Sequence, residues 1–195
     1  MKVALSVETF LPKIDGISRI TALTLDYLNS YGIEAIVFAP YNCVESYNGV
    51  EIIRVPGISN PKYPEGMLGF PHPKMFSTIR EFQPDLVHVI DPGFIGAGVG
   101  IISKQMGIPT VGSYHLDITQ QFRDFGLGFL AGTIHRMRMW GFNYVHHVLA
   151  PSRNAQRYLL DKGIKRVGWW RRGVDSTKFN PNFVSDEMRS RLTNG

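Results

Sequence analysis

A short apolar run, residues 3–7, opens the chain, and a loop then leads into Ile20, Leu23, Tyr27 and Tyr31, spaced three or four apart and closed by Gly32. The run predicts a strand, and the spacing predicts a helix with that stripe as its apolar face. Residues 35–38 and 50–55 read as the next two strands, and Met75, Phe76, Ile79 and Phe82 as one face of a second helix. Residues 86–90 then predict a strand, Ile95, Val99, Ile102 and Met106 a helix, and residues 110–114 a strand after the Gly107-Ile108-Pro109 break. A long helical stretch at 130–144, a strand at 145–150, a helix capped by Ser152 and ending near Gly163, and a strand at 167–170 continue the alternation. Strands that are apolar without alternating, separated by helices, predict a parallel sheet covered on both faces, the α/β class.

With 195 residues, 44% of them hydrophobic and 19% charged, the chain can bury one full-sized core. One domain over 1–181 is expected, followed by a polar linker or tail over 182–195. The single cysteine, Cys43, excludes an internal disulfide framework, and Glu8 falls where a signal peptide needs apolar residues, so a cytosolic protein is expected. The longest uncharged apolar stretch, 92–103, is too short to span a bilayer. Residues 119–195 hold 13 Lys/Arg against 5 Asp/Glu, whereas residues 1–118 hold 8 against 11. That asymmetry suits an anionic partner: a membrane surface, a nucleic acid or a phosphorylated substrate.

Open α/β sheets bind ligands outside the carboxyl ends of their strands, which directs attention to the loops after 3–7, 86–90 and 110–114. In the first, Gly16 lets the backbone approach a ligand, and the helix beginning near Ile17 offers N–H groups to a phosphate; a plain glycine turn reads equally. No G-x-G-x-x-G fingerprint occurs, and Gly96, Gly98 and Gly100 have the wrong spacing for one. His115 lies just past a strand end, where an imidazole can meet a substrate hydroxyl, whereas His88, inside a strand, reads as a hydrogen-bonded core residue. His146 and His147 point to opposite faces of a strand, and no histidine pair has metal-ligand spacing beside a carboxylate, so no metal site is expected.

The segment F-L-P-x-x-D-G-I-S-R (10–19), P-D-L-V-H (84–88), S-Y-H (113–115), A-P-S (150–152) and R-G-V-D-x-x-x-F-N-P (172–181) follow one another in this order. Together they resemble the N-terminal half of retaining, family 4 glycosyltransferases, closest in look to sulfoquinovosyl-diacylglycerol synthases and bacterial lipid mannosyltransferases. The resemblance implies a Rossmann-like, acceptor-side domain of a GT-B fold. It also implies a nucleotide-sugar donor bound through a second, C-terminal domain, no metal or other cofactor, and a lipid or glycan acceptor. By the same resemblance Gly16 matches the glycine whose backbone approaches the donor diphosphate, and His115 the histidine that contacts the donor sugar near the reacting carbon, the catalytic position. Asp15, Ile17 and Arg172 join Gly16 on the donor side, while Glu8, Tyr114, Asp117 and Arg123 are expected on the acceptor side of one cleft wall. The family's E-x7-E motif and its diphosphate-gripping Arg/Lys pair belong to that C-terminal domain.

The leading expectation is therefore the acceptor half of an enzyme; the alternative is a binding or regulatory fragment of the same fold that holds a ligand without turning it over. A nucleic-acid partner would rest on Trp169, Trp170, Arg171 and Arg172 alone, with no accompanying motif, and is not expected. A peripheral position on the inner face of a membrane is suggested by residues 129–144. Wound as a helix, they put Leu130, Ile134, Met137, Trp140 and Tyr144 on a broad face that can cover the sheet, leaving Arg136, Arg138, Met139 and Phe142 for anionic lipid. Burial of both sides reads equally.

Overall fold

The computed structural model describes residues 1–60, 63–115, 128–170 and 180–193. Its strands are β1 (Lys2–Val7), β2 (Glu34–Pro40), β3 (Ser46–Tyr47), β4 (Val50–Val55), β5 (Gly57–Asn60), β6 (Tyr63–Gly69), β7 (Leu86–Ile90), β8 (Thr110–Ser113), β9 (His147–Ala150) and β10 (Val167–Trp169). Its helices are α1 (Gly16–Ser30), α2 (Pro73–Phe82), α3 (Phe94–Gln105), α4 (Gly128–Gly141), α5 (Arg153–Asp161) and α6 (Asp186–Thr193). Eight strands form one sheet in the order β10-β9-β8-β7-β1-β2-β4-β3, parallel except where β3 returns antiparallel to β4.

Both faces of this sheet are covered, as continuous apolar strands require. On one face Val3, Leu5, Val7, Val37, Ile52 and Ile90 pack against Ile17, Ala22, Leu25 and Leu28 of α1. On the other, Ala4, Phe38, Ile53, Val87 and Val89 pack against Met75 and Ile79 of α2 and Ile95 and Val99 of α3. A third cluster gathers Phe142, Val148, Ala150, Leu159 and Ile164 beneath β9 and α5. The order β8-β7-β1-β2 places the first strand of the chain centrally and reverses direction of progression beside it, which is where a doubly wound sheet opens a crevice.

Two sequence expectations change. In α1 the buried positions are Ser18, Thr21 and Leu25, while Leu23, Tyr27 and Tyr31 are exposed. Most of the periodic stripe therefore faces outward; Thr21 can face the sheet because its hydroxyl donates to the Ile17 carbonyl at 2.8 Å, whereas the Ser18 hydroxyl is buried without a partner among the described residues. The antiparallel hairpin of β5 and β6 has no counterpart in the periodicity. Close packing explains its glycines: a Cβ on Gly57 would come 2.4 Å from the Leu68 carbonyl oxygen, and one on Gly69 would come 2.5 Å from Ile95 Cδ1. The polar tail contains α6, in which no residue is buried. No helix among the described residues is long and apolar enough to cross a membrane.

Candidate functional site

Registered pairing brings the carboxyl ends of three strands to one level, because Val7 pairs with Ile90 and Ile90 with Ser113. Side chains alternate along a strand, so successive residues there serve opposite faces of the sheet. His88 and Ser113 lie on the α1 face, and Glu8, Asp91 and Tyr114 on the α3 face.

On the α1 face the loop after β1 is pinned before the helix begins. Phe10 is buried edge-on to Tyr47, at 5.8 Å between ring centroids, and the Val44 N–H donates to the Leu11 carbonyl at 2.9 Å. Asp15 caps α1: its carboxylate accepts from the Ser18 N–H at 2.8 Å and lies 3.4 Å from Lys13 Nζ. Partial burial alone would raise its pKa, but the Ser18 N–H and the Lys13 ammonium outweigh it and hold the carboxyl below its ordinary value. Its carboxylate thus organises the helix terminus. The N–H groups of Gly16 and Ile17, in the first turn, have no intrahelical acceptor and are the groups an anion would meet. A Cβ on Gly16 would meet nothing within 4 Å, so the fold itself does not demand glycine at this position.

A histidine pair lies on the same face of the sheet. Ser113 Oγ is 3.0 Å from His88 Nε2 and 2.7 Å from His115 Nε2, and both imidazoles meet the edge of Trp170 at ring distances of 5.9 and 5.8 Å. Burial pushes the His88 pKa down to about 4, so that ring is neutral near pH 7. Reading the sequence placed His88 in the core and His115 at the site; the hydroxyl that joins them went unnoticed, though Ser113 and His115 stand two apart, as side chains on one face do.

The α3 face carries charge of a different kind. Glu8 Oε1 accepts from the Gly96 N–H at 2.9 Å and caps the first turn of α3, which has no capping side chain of its own at Gly93. A Cβ on Gly93 would come 2.4 Å from Glu8 Cδ, so the glycine makes room for this long-range cap. Burial pushes the Glu8 carboxyl up to about 8, with nearby Asp91 adding to the rise and the Gly96 N–H opposing it. Asp91 adopts a left-handed backbone, φ 61°, and is buried in an ion pair with Arg138. The Arg138 guanidinium also lies over the Tyr114 ring, 5.6 Å from its centroid, and Tyr114 packs against Phe142 and Tyr158.

Arg138 and Phe142 are corrections to the expected membrane face: they are 1% and 2% exposed. The buried side of α4 is Ala131, Arg138 and Gly141, while Met139 is partly buried against the third cluster. Leu130 and Trp140, expected to cover the sheet, are exposed instead. Of the four membrane candidates, Arg136 alone is exposed. Helical charge patterning could not reveal this, because the partner that turns Arg138 inward, Asp91, is 47 residues away. Glu8 and Tyr114, expected on the acceptor side, are engaged in the helix cap and the aromatic cluster just described. Asp117, Arg123 and Arg172 lie outside the described residues. No group of three His, Cys, Asp or Glu residues among the described residues is arranged to hold a metal ion. A hollow of about 400 Å³, lined by Lys104, Tyr144, His146, Lys165 and Arg166, lies at the amino ends of β8, β9 and β10. That is the edge opposite to the one at which such sheets bind ligands.

Comparison with known proteins identifies the family. The sequence matches Glycosyltransferase Family 4 over residues 14–178. It is 32% identical to a GDP-mannose-dependent alpha-mannosyltransferase of Mycobacterium tuberculosis, over 98% of this chain and 52% of that protein. It is 31% identical to a sulfoquinovosyl transferase of Arabidopsis thaliana, over 87% of this chain and 34% of that protein. Among solved structures, sucrose-phosphate synthase from Thermosynechococcus elongatus superposes with a TM-score of 0.62 at 14% identity, over 98% of this chain and 52% of that one. The chain spans about half the length of the curated relatives it matches. By its sequence, the chain belongs to Glycosyltransferase Family 4.

Proposed function

We propose that this chain is the acceptor-side half of a glycosyltransferase that moves a sugar from a nucleotide-sugar donor to a lipid or glycan acceptor with retention at the anomeric carbon. The observation that carries the reading is the pairing, on one sheet face, of an α1 terminus left open by Gly16 with His115 at the end of β8. The donor diphosphate would meet the N–H groups of Gly16 and Ile17, where helix partial charge favours a leaving anion. His115 would contact the sugar beside the reacting carbon. Donors from the second domain of the full enzyme would complete the hold on the diphosphate.

The test joins this chain to the C-terminal half of a GDP-mannose-dependent relative. It measures sugar transfer to endogenous lipid and glycan extracts, with the product's anomeric configuration read by NMR. Expected are transfer with retention and a loss of about a hundredfold or more in His115→Ala with the fold intact. Full activity in His115→Ala would overturn the assignment, and an inverted product would overturn retention.

A further inference from the structure

We propose that Ser113 is a positioning residue: its hydroxyl carries a one-way hydrogen-bond relay from His88 to His115 and fixes the His115 proton on Nδ1. Among the described residues the His88 ring has one hydrogen-bond partner, Ser113 Oγ, and the Ser113 hydroxyl has two, His88 and His115. Three groups therefore share two links, and the direction follows from counting protons.

A neutral imidazole has one N–H and one bare nitrogen, and His88 is neutral because burial holds its pKa far below neutrality. Of the two links the one to His88 is the longer, as an N–H donor to oxygen is, so the His88 proton belongs on Nε2, where Ser113 Oγ accepts it. The hydroxyl is then free to donate, and the acceptor left to it is His115 Nε2. Distances agree: 3.0 Å is the ordinary length of an N–H donor to oxygen, and 2.7 Å is the shorter separation of a hydroxyl donor. Trp170 packs steeply inclined against both rings, at 5.9 and 5.8 Å between centroids. With Nε2 occupied as acceptor, neutral His115 carries its proton on Nδ1, the reverse of the tautomer that free histidine prefers in water.

Given the proposed function, on which only this consequence rests, any contact His115 makes through Nδ1 is made as a hydrogen-bond donor. It would therefore seek an oxygen lone pair of the sugar or of the leaving phosphate. It would not remove a proton from the acceptor hydroxyl.

The tautomer can be read without substrate. Long-range proton–nitrogen NMR of the labelled 195-residue chain at neutral pH distinguishes protonated from bare ring nitrogens, with His115 assigned by its absence in His115→Gln. Expected are a bare Nε2 and protonated Nδ1 at His115, and the opposite pattern at His88. Loss of the hydroxyl in Ser113→Ala should move the His115 tautomer ratio roughly tenfold toward protonated Nε2. Ser113→Thr, which keeps the hydroxyl, should restore it. His88→Phe, which removes the upstream donor, should move the ratio in the same direction as Ser113→Ala and by less. A protonated Nε2 at His115 in the unaltered chain, or a ratio indifferent to Ser113→Ala in a folded variant, overturns the relay. If the relay holds while His115→Ala leaves transfer unchanged in the joined enzyme, the proposed function falls and the positioning role stands.

Discussion

Replacing Arg138 by Met separates the surface reading of α4 from the structure. Both members of the Arg138–Asp91 pair are within 2% of full burial, and Met keeps much of the unbranched stem while removing the charge. Breaking a buried pair from one side costs roughly 3–5 kcal/mol, because the remaining charge is left without compensation in a poorly solvating interior. Here the remaining charge would be Asp91, which sits near Glu8, a carboxyl already pushed up to about 8. With a urea slope of about 2 kcal/mol per molar, the midpoint of unfolding followed by circular dichroism should fall by roughly 1.5–2.5 M. The double variant Arg138→Met, Asp91→Asn removes both charges. Asn tolerates the left-handed backbone at position 91, so the double variant should recover at least half of that loss. A shift within about 0.3 M for Arg138→Met would place the guanidinium in solvent, as the charge pattern alone suggested. A double variant less stable than the single one would show that the pair is not the source of the loss.

Other outcomes follow from the same geometry. Glu8 binds its proton more tightly when folded, so its burial lowers stability as pH rises from about 4.5 to about 8; His88 binds its proton less tightly when folded, so its burial raises stability from about 4 to 6.5. The two slopes cancel up to about 6.5 and leave a decline toward 8 that Glu8→Gln should remove, checked by thermal melts across that range; an unchanged decline would refute the assignment. Gly16→Ala places a methyl group in open space, so its melting temperature should stay within about two degrees, while donor use in the joined enzyme falls; normal turnover would refute the phosphate approach. On α4, Phe129, Arg136 and Trp140 are exposed along one helical side, so Arg136→Glu should weaken sedimentation with anionic vesicles roughly tenfold without changing stability. Binding equal to that of the unaltered chain, or independent of lipid charge, would remove the membrane from the account.

The parallel, doubly covered sheet was legible because burial on both faces writes itself as unbroken apolar runs, as in residues 35–38 and 86–90, whereas the order of its strands was not. Helix existence was legible for the same reason, and caps such as Ser152, whose hydroxyl accepts from the Ala155 N–H at 3.1 Å, marked the starts. Helix orientation was not. In α1 the sheet takes Ser18 and Thr21, residues whose polarity argues for solvent, Thr21 until its hydroxyl bond to the Ile17 carbonyl is seen, while tyrosines that look like core stay outside. In α4 the error has the same origin with a larger charge: an arginine can be buried at small net cost once a carboxylate waits for it, and no local pattern announces a partner that enters from another strand end.

The loops that frame the candidate site could be located in the sequence, but the sheet face that each residue serves could not. Gly16 and His115 could be named because a strand's carboxyl end and a helix's first turn are recognisable in sequence. Roles depended on which sheet face each residue serves, and that is settled by register. One step along each strand separates Ser113 from Tyr114 and His88 from Val89, and that step decides whether a side chain lies on the α1 face or on the α3 face of the sheet. The same alternation assigns Glu8 to the α3 cap, although it borders the loop that leads to Gly16. A charge on the α3 face therefore acts on ligand binding only through the helices it fixes. Glu8→Gln should alter stability with pH while leaving a nucleotide-sugar KM in the joined enzyme within about twofold, since an amide keeps the acceptor for Gly96. A KM raised tenfold or more in that variant, with α3 intact by hydrogen exchange, would return Glu8 to the ligand wall and refute the division of the site by sheet face.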